Sequence, residues 1–245
     1  MRRFLSGLPR CDLCVVTGDL VGEPQAVETT VQILRHLRGT RASFFVLGSN
    51  DYFVPRPLNY LGYFRKRRRH RWARRGRAPD LAAQLEADGW VHLRNTRRLI
   101  SLDGLKIEVM GLDDPHIRRL DLRVAPREHL SAFGVAVAHS PDPAPELAAL
   151  GYDLMLFGHT HGGQVRFPIV GPLVTNSVVP RRIASGLVRM GNAYAHISPG
   201  LGTSKYAPFR FLCRPEATLV ELVPRAATPD RPSSPAARAP RTPAR

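Results

Sequence analysis

An α/β fold whose strands are covered on both faces is predicted by three features of this 245-residue chain. The apolar runs Leu13-Cys14-Val15-Val16, Ser43 to Leu47, Val135-Ala136-Val137-Ala138 and Leu154-Met155-Leu156-Phe157 are continuous rather than alternating, as in strands with no solvated face. Segments with helical spacing lie between them. Each run then stops in a short polar turn: Gly18-Asp19, Gly48-Ser49-Asn50-Asp51, His139-Ser140 and Gly158-His159-Thr160-His161. In sheets of this kind ligands bind beyond the carboxyl ends of the strands, so these turns are expected on one rim.

The elements follow in order. Met1 to Arg10 is basic at Arg2 and Arg3 but has no apolar core, so it does not read as a signal peptide. After the 13–17 strand, Val27, Val31, Ile33, Leu34 and Leu37 recur at helical spacing, predicting a helix from about Ala26 to Leu37. Ser43 to Leu47 is the next strand, and a basic insertion spans 54–79. Asp80 is expected to N-cap a helix through Leu81-Ala82-Ala83-Gln84-Leu85. Leu105 to Met110 reads as a strand ending at Gly111-Leu112-Asp113-Asp114, whose carboxylates could join the site but better suit turn formation and helix capping. A short helix at Pro145 to Leu150 separates the two histidine-bearing strands, as a crossover between parallel neighbours requires. Tyr194 to Ser198 and Ala217 to Val223 read as late strands of a second sheet. Residues 224–245, rich in Pro, Ala, Ser and Arg, are expected to be a disordered tail after a domain spanning 1–223.

At 43% hydrophobic the chain can bury one sizeable core. Its three cysteines, Cys11, Cys14 and Cys213, make no even disulfide framework, and Cys14 falls inside an apolar strand; buried thiols and a reducing compartment are expected. No apolar run reaches the roughly 18 residues that span a bilayer, which points to the cytoplasm, with peripheral contact at a membrane. The net charge of +16 is concentrated in Arg65 to Arg71 and Arg74 to Arg77, beside Tyr60, Tyr63, Phe64 and Trp72. Such a cluster suits an anionic membrane surface or nucleic acid, and a solvated loop in an arginine-rich sequence explains it equally well. Because the insertion leaves the strand end that carries Asn50, Arg67, Arg68 and Arg69 are candidate binders of a phosphorylated small-molecule or lipid substrate.

Two imidazoles in a glycine-bounded turn, His159 and His161, suit metal ligation. Asp19, Asn50 and His139 end neighbouring strands and supply the other donors. Each alone has an ordinary explanation: Asp19 as a helix cap, Asn50 as a turn former, His139 as a satisfied core histidine. Their joint placement at strand ends favours one metal-binding rim.

The GD at 18–19, the asparagine turn at 48–51, the lone His139 and the GHTH at 158–161 resemble, in order and spacing, the calcineurin-like metallophosphoesterases, as do GLGTS at 200–204 and RFLCRPE at 210–216. That resemblance covers roughly Leu13 to Val223. It implies two packed, mixed β-sheets flanked by helices, two divalent ions and hydrolysis of phosphomonoesters or phosphodiesters. Asp19 would bridge the two ions, Asn50, His139 and His159 would complete one site, and His161 would serve the other. Imidazole and carboxylate donors suit Mn, Zn, Fe or Ni. Asn50, Asp51 and His139 are the catalytic candidates.

Two departures qualify the match. An Asp-x-His turn expected upstream of Gly18-Asp19 is absent from Met1 to Asp12, so the fold reads as N-terminally incomplete and one ion is an alternative to two. GSND also stands where GNHD is usual: an ungapped match puts Ser49 at the ligand position and Asn50 at that of the leaving-group histidine, whereas the better donor chemistry of an amide carbonyl favours Asn50 as the ligand. A non-catalytic regulatory module on the same fold, and a nucleic-acid-binding protein using the arginine loop, are the rival readings.

Overall fold

The computed structural model describes residues 2–54, 74–205 and 207–223. Arg67, Arg68 and Arg69, with most of the basic insertion, and the 224–245 tail lie outside the described residues. The first half comprises α1 (Arg2–Leu5), β1 (Leu13–Val16), α2 (Val27–Leu34), β2 (Ala42–Phe45), α3 (Ser49–Tyr52), β3 (Phe53–Val54), β4 (Arg74–Arg75), α4 (Ala78–Ala87) and β5 (Val91–His92). The second comprises β6 (Thr96–Leu102), β7 (Leu105–Leu112), β8 (Phe133–Ala138), α5 (Ala144–Ala149), β9 (Leu154–Phe157), β10 (Arg166–Phe167), β11 (Gly171–Pro172), β12 (Gly186–Met190) and β13 (Ala193–Ile197).

Strands β1, β2 and β5 pair in parallel as one sheet, in the order β1-β2-β5. A six-stranded sheet runs β12-β13-β9-β8-β7-β6, its four central strands parallel and both edge strands antiparallel. The two-residue alternation of a strand sorts each continuous apolar run onto two faces. Phe44, Val46, Ile107, Val109, Val135, Val137 and Leu154 meet between the sheets. Met110, Leu112, Ala136, Ala138, Met155 and Phe157 turn the other way, toward Ala144 and Leu147 of α5 and Tyr152. On the far side Cys14, Phe45 and Leu47 pack against Val27, Val31 and Leu34 of α2 and Leu81 and Leu85 of α4. The two sheets with their flanking helices thus make the predicted sandwich. Phe45 and Phe157 are fully buried in the two outer layers, where truncation to alanine would cost about 3–5 kcal/mol.

Three expectations change. Asp80 does not cap α4; the helix begins at Ala78 with Arg77 at the N-cap, and Asp80 lies in the first turn, paired to Arg77 at 2.7 Å. Proline at 79 sets the helical φ one position before Asp80, which moves the start upstream. Residues 217–223 do not form a strand: Leu219 and Val223 stand 63% and 72% exposed, without a ladder partner among the described residues. Strand β6, in contrast, was not expected. It pairs with β7 through the two-residue turn Asp103-Gly104, both with positive φ, so the Asp-Gly hairpin signal in the sequence was a true one.

Candidate metal centre

Register brings the predicted turns together. Val16 pairs with Phe45, Leu112 with Ala138, and Val137 with Leu156, so the turns at 17–21, 46–51, 113–116, 139–140 and 158–161 leave the same ends of their sheets. The first two meet at Gly48, where an added Cβ would lie 2.2 Å from Asp19 Oδ1 and 2.8 Å from the His139 ring. Only glycine permits that approach. Asp19, His159 and His161 all have left-handed backbone, with φ of 53°, 66° and 51°. For non-glycine residues this costs about 1–3 kcal/mol each, and such strain clusters at functional sites.

The Asp51 carboxylate accepts backbone N–H groups from Asp19 (2.9 Å), Leu20 (2.7 Å), Val21 (3.0 Å) and Gly48 (2.9 Å). It therefore clamps the 18–21 turn to the 48–51 turn. Fully buried, with both oxygens occupied, it does not face the rim, which departs from its expected place among the catalytic residues. Burial and the Asp19 charge raise this carboxyl, while the N–H donors from Gly48 and Val21 pull against them. With four donors on its two oxygens, a proton would have no acceptor, and the ionised form fits the geometry.

Asp19 holds Asn50 by two contacts, accepting the Asn50 backbone N–H at 2.9 Å and the side-chain amide at 2.5 Å. Of Ser49 and Asn50, it is therefore Asn50 whose side chain reaches Asp19. His139 Nε2 lies 3.3 Å from Asp19 Oδ2 and 3.2 Å from His159 Nδ1. The remaining nitrogens face carbonyl oxygens: His139 Nδ1 is 2.7 Å from Thr17 O, and His159 Nε2 is 3.0 Å from Asn176 O. A carbonyl only accepts, so both of those nitrogens must be donors. In the neutral rings, Nε2 of His139 and Nδ1 of His159 then point lone pairs at each other beside a carboxylate. Such an arrangement needs a cation or a proton between its members.

In the protein alone a proton fills that role. Burial opposes charge on His139, but the Asp19 carboxylate and the Thr17 carbonyl lift its pKa to about 10. Burial raises the Asp19 carboxyl, and the His139 charge together with the Asn50 N–H overcomes it, holding the group well below the usual carboxylate range. His159 is pushed down to about 4 by burial and then by the charges of His139 and His116. His161 is lowered chiefly by burial, against the pull of Asp19.

His116, Asp142 and Asn176 join the cluster and were not expected there, and Asp114, for which turn formation and capping were the favoured roles, joins them. The His116 ring stacks on His159 with centroids 4.3 Å apart and lies 3.1 Å from Asp114 Oδ1 and 3.4 Å from Asp142 Oδ2. Asp142 in turn accepts from Ser177 Oγ at 2.5 Å and Val178 N at 3.0 Å, tying the 176–178 segment behind His159. Asp114 caps the turn that follows β7 through His116 N, as a strand-end aspartate should, but its Oδ2 is buried without a hydrogen-bond partner among the described residues. Asp-Asp-Pro-His directly after a core strand was the available signal. Asn176 had none, because it approaches from a segment without sequence periodicity.

Asp19, His139, His159 and His161 line one cleft of about 670 Å³ that also reaches His196 and Glu216. Among the described residues no three His, Cys, Asp or Glu side chains surround a common centre; the donors touch one another instead. Their chemistry nevertheless fits a divalent ion: two imidazoles with tautomers fixed from behind, a carboxylate, and an amide whose oxygen and nitrogen can exchange places. His161 stands apart from the mutual contacts of Asp19, Asn50, His139 and His159.

Comparison with known proteins matches residues 1–163 to the family model described as calcineurin-like phosphoesterase. The chain is 30% identical over 216 residues to the uncharacterized metallophosphoesterase YkuE of Bacillus subtilis, covering 86% of this chain and 68% of that protein. It is 33% identical over 139 residues to the phosphodiesterase YaeI of Escherichia coli, covering 57% of this chain and 50% of YaeI. A third relative, YpbG of Bacillus subtilis, is 31% identical over 215 residues, covering 86% of this chain and 70% of the relative. The rim of strand-end donors and the match over most of the chain lead to one assignment: the protein belongs to the calcineurin-like phosphoesterases, metal-dependent hydrolases of phosphoesters.

Proposed function

We propose that this chain hydrolyses a phosphomonoester or phosphodiester at the rim of its two sheets. Asp19, Asn50, His139 and His159 would hold one divalent ion, and Asp19 with His161 would contribute to a second. The observation that carries this reading is the pair of imidazole nitrogens 3.2 Å apart, each with its partner nitrogen committed to a backbone carbonyl. Divalent ions in such a site polarise phosphoryl oxygens and lower the pKa of the attacking water.

The protein's own groups do the positioning. Thr17 O and Asn176 O fix the tautomers of His139 and His159, so both rings enter binding as neutral donors once the resident proton leaves. Asp19 faces His139 and Asn50 and supplies the negative charge of the site. Asp51 keeps the two turns at fixed separation, a supporting role in place of a catalytic one. With Asn50 as ligand and Asp51 occupied, no side chain of the 48–51 turn is left to protonate a leaving group. Arg67, Arg68 and Arg69 remain candidate substrate binders on the insertion.

The test is hydrolysis of bis(p-nitrophenyl) phosphate alongside the metal content of the purified protein. Chelation should bring turnover to background, and readdition of Mn or Zn should restore it. Full turnover in a demonstrably metal-free sample would eliminate the proposal. The number of ions bound per chain separates a two-ion centre from a one-ion centre.

A further inference from the structure

The hairpin that follows the histidine loop carries apolar side chains that no part of the described chain covers. Strands β10 and β11 are joined by Pro168, Ile169 and Val170; Ile169 is fully exposed and Val170 is 65% exposed. Ile169 has φ of 68°, a strained conformation for a β-branched residue, in a turn that leaves its side chain outside the fold. The 209–212 segment lies alongside: Val165 bridges to Phe211, Arg166 N donates to Phe211 O at 3.0 Å, and the rings of Phe167 and Phe211 stand 6.0 Å apart. Phe167, Phe209, Phe211 and Leu212 are each between 45% and 61% exposed. Arg210, between the two phenylalanines, turns inward to the carbonyls of His161 and Pro199, so the segment keeps its polar side in the protein and its apolar side out. Clustered exposure of this kind marks a contact surface, in contrast to scattered exposed residues.

Charge indicates the partner. From Leu154 to Pro215 the sequence has no Asp or Glu and seven Arg or Lys, so acidic side chains are excluded from the hairpin and from the chain on both sides of it. Arg181, Arg182 and Arg214 are exposed; Arg181 donates to Leu173 O just beyond β11, Arg182 follows it in the chain, and Arg214 lies two residues after Leu212. An apolar tip in a stretch of chain with an excess of arginine, its nearest carboxylates in sequence being Asp153 and the exposed Glu216, matches the interface of an anionic bilayer, where acyl chains accept the tip and headgroup phosphates meet the arginines.

We infer that the 166–172 hairpin and the 209–212 segment form a membrane-docking surface, with Ile169 and Val170 entering the lipid and Arg181, Arg182 and Arg214 meeting anionic headgroups. The hairpin begins five residues after His161 and packs against the histidine loop at Gly163, where an added Cβ would fall 2.1 Å from Pro172 Cβ. Docking would therefore hold the candidate metal centre close to the bilayer surface.

Flotation of the full-length chain with vesicles of phosphatidylcholine and phosphatidylglycerol, against phosphatidylcholine alone, tests the inference without requiring any hydrolysis. The protein should float with the anionic vesicles and less with the neutral ones. Ile169→Ser with Val170→Ser should lower partitioning at least about tenfold, because two buried aliphatic side chains are removed. Arg181→Ala with Arg182→Ala should lower it on anionic vesicles only. Circular dichroism and hydrolysis of the soluble diester should be unchanged in both variants. Equal flotation of the parent and the serine variant would overturn the inference and assign binding to the basic insertion. A parent that fails to float would overturn it too, as would a parent dimer that the serine variant converts to monomer, since the patch would then be a subunit interface.

Discussion

Strands β7, β8 and β9 have buried polar groups at or near both ends, and the two sets differ in wiring. Toward their starts, Glu108 is fully buried but meets Arg97 at 3.3 Å and the backbone N–H groups of Glu128 and His129. Arg127, also buried, reaches Asp153 and the carbonyls of Gly151, His129 and Ala132. Each of these groups has an opposite charge or a dipole of the right sign, although Arg127 Nε is itself buried without a hydrogen-bond partner among the described residues. At the far ends, Asp19 and His159 adopt strained backbone, two imidazole nitrogens face each other, and Asp114 keeps a buried oxygen without a partner. A core can hold ionic groups for stability only when they are paired. Groups left in conflict at the other end are therefore the ones with a task beyond the fold.

This contrast can be broken by mutation. The largest effect is expected for Asp19→Asn, which should reduce hydrolysis at least about a thousandfold and lower metal content, the loss expected when a central charge in a metal-dependent site is removed. Its folding stability, measured on metal-free protein by urea denaturation at neutral pH, should fall by about 1–3 kcal/mol, because His139 loses its buried partner but can shed its proton, and asparagine tolerates the left-handed φ at this position. Arg97→Met should do the reverse: a loss of about 3–5 kcal/mol from leaving Glu108 unpaired, with metal content unchanged in the folded fraction.

Asp51→Asn should affect both properties, because Asp51 belongs to neither set. Its amide would turn a donor toward N–H groups that now meet a carboxylate, costing about 1–3 kcal/mol. Metal affinity, by calorimetry, should fall about 10–100-fold as the two turns separate. The smallest change is expected for Asp114→Asn: hydrolysis down by about tenfold, and stability slightly lowered at neutral pH, since His116 loses its charged partner, the pairing that holds the Asp114 carboxyl ionised against its burial. If stability instead fell sharply, Asp114 would belong with the satisfied groups, and the division between the two ends would have to be redrawn.

Much of this arrangement was legible beforehand. Four apolar runs marked four of the core strands, and the residue that ends each run proved to lie on one rim. Asp19, Asn50, His139 and His159 touch one another, and His161 stands apart. Residues whose role depends on distant partners were harder to read. Asp51 follows the presumed ligand in sequence and looked catalytic, yet its partners are N–H groups about thirty residues away. Asn176 and Asp142 meet the histidines through segments with no periodic pattern. The 217–223 segment has the composition of a strand, but among the described residues it has no neighbour to pair with.

The sequence alone therefore determined which residues end the core strands and which donors stand there, because strand burial and turn chemistry are local and leave a period of two and a polar stop. Tertiary structure alone decided how those donors are presented: which imidazole nitrogen faces inward, which carboxylate is locked by N–H groups, and which apolar tip remains outside. Those outcomes depend on hydrogen-bond partners and packing surfaces contributed by distant segments, and local composition carries no record of them.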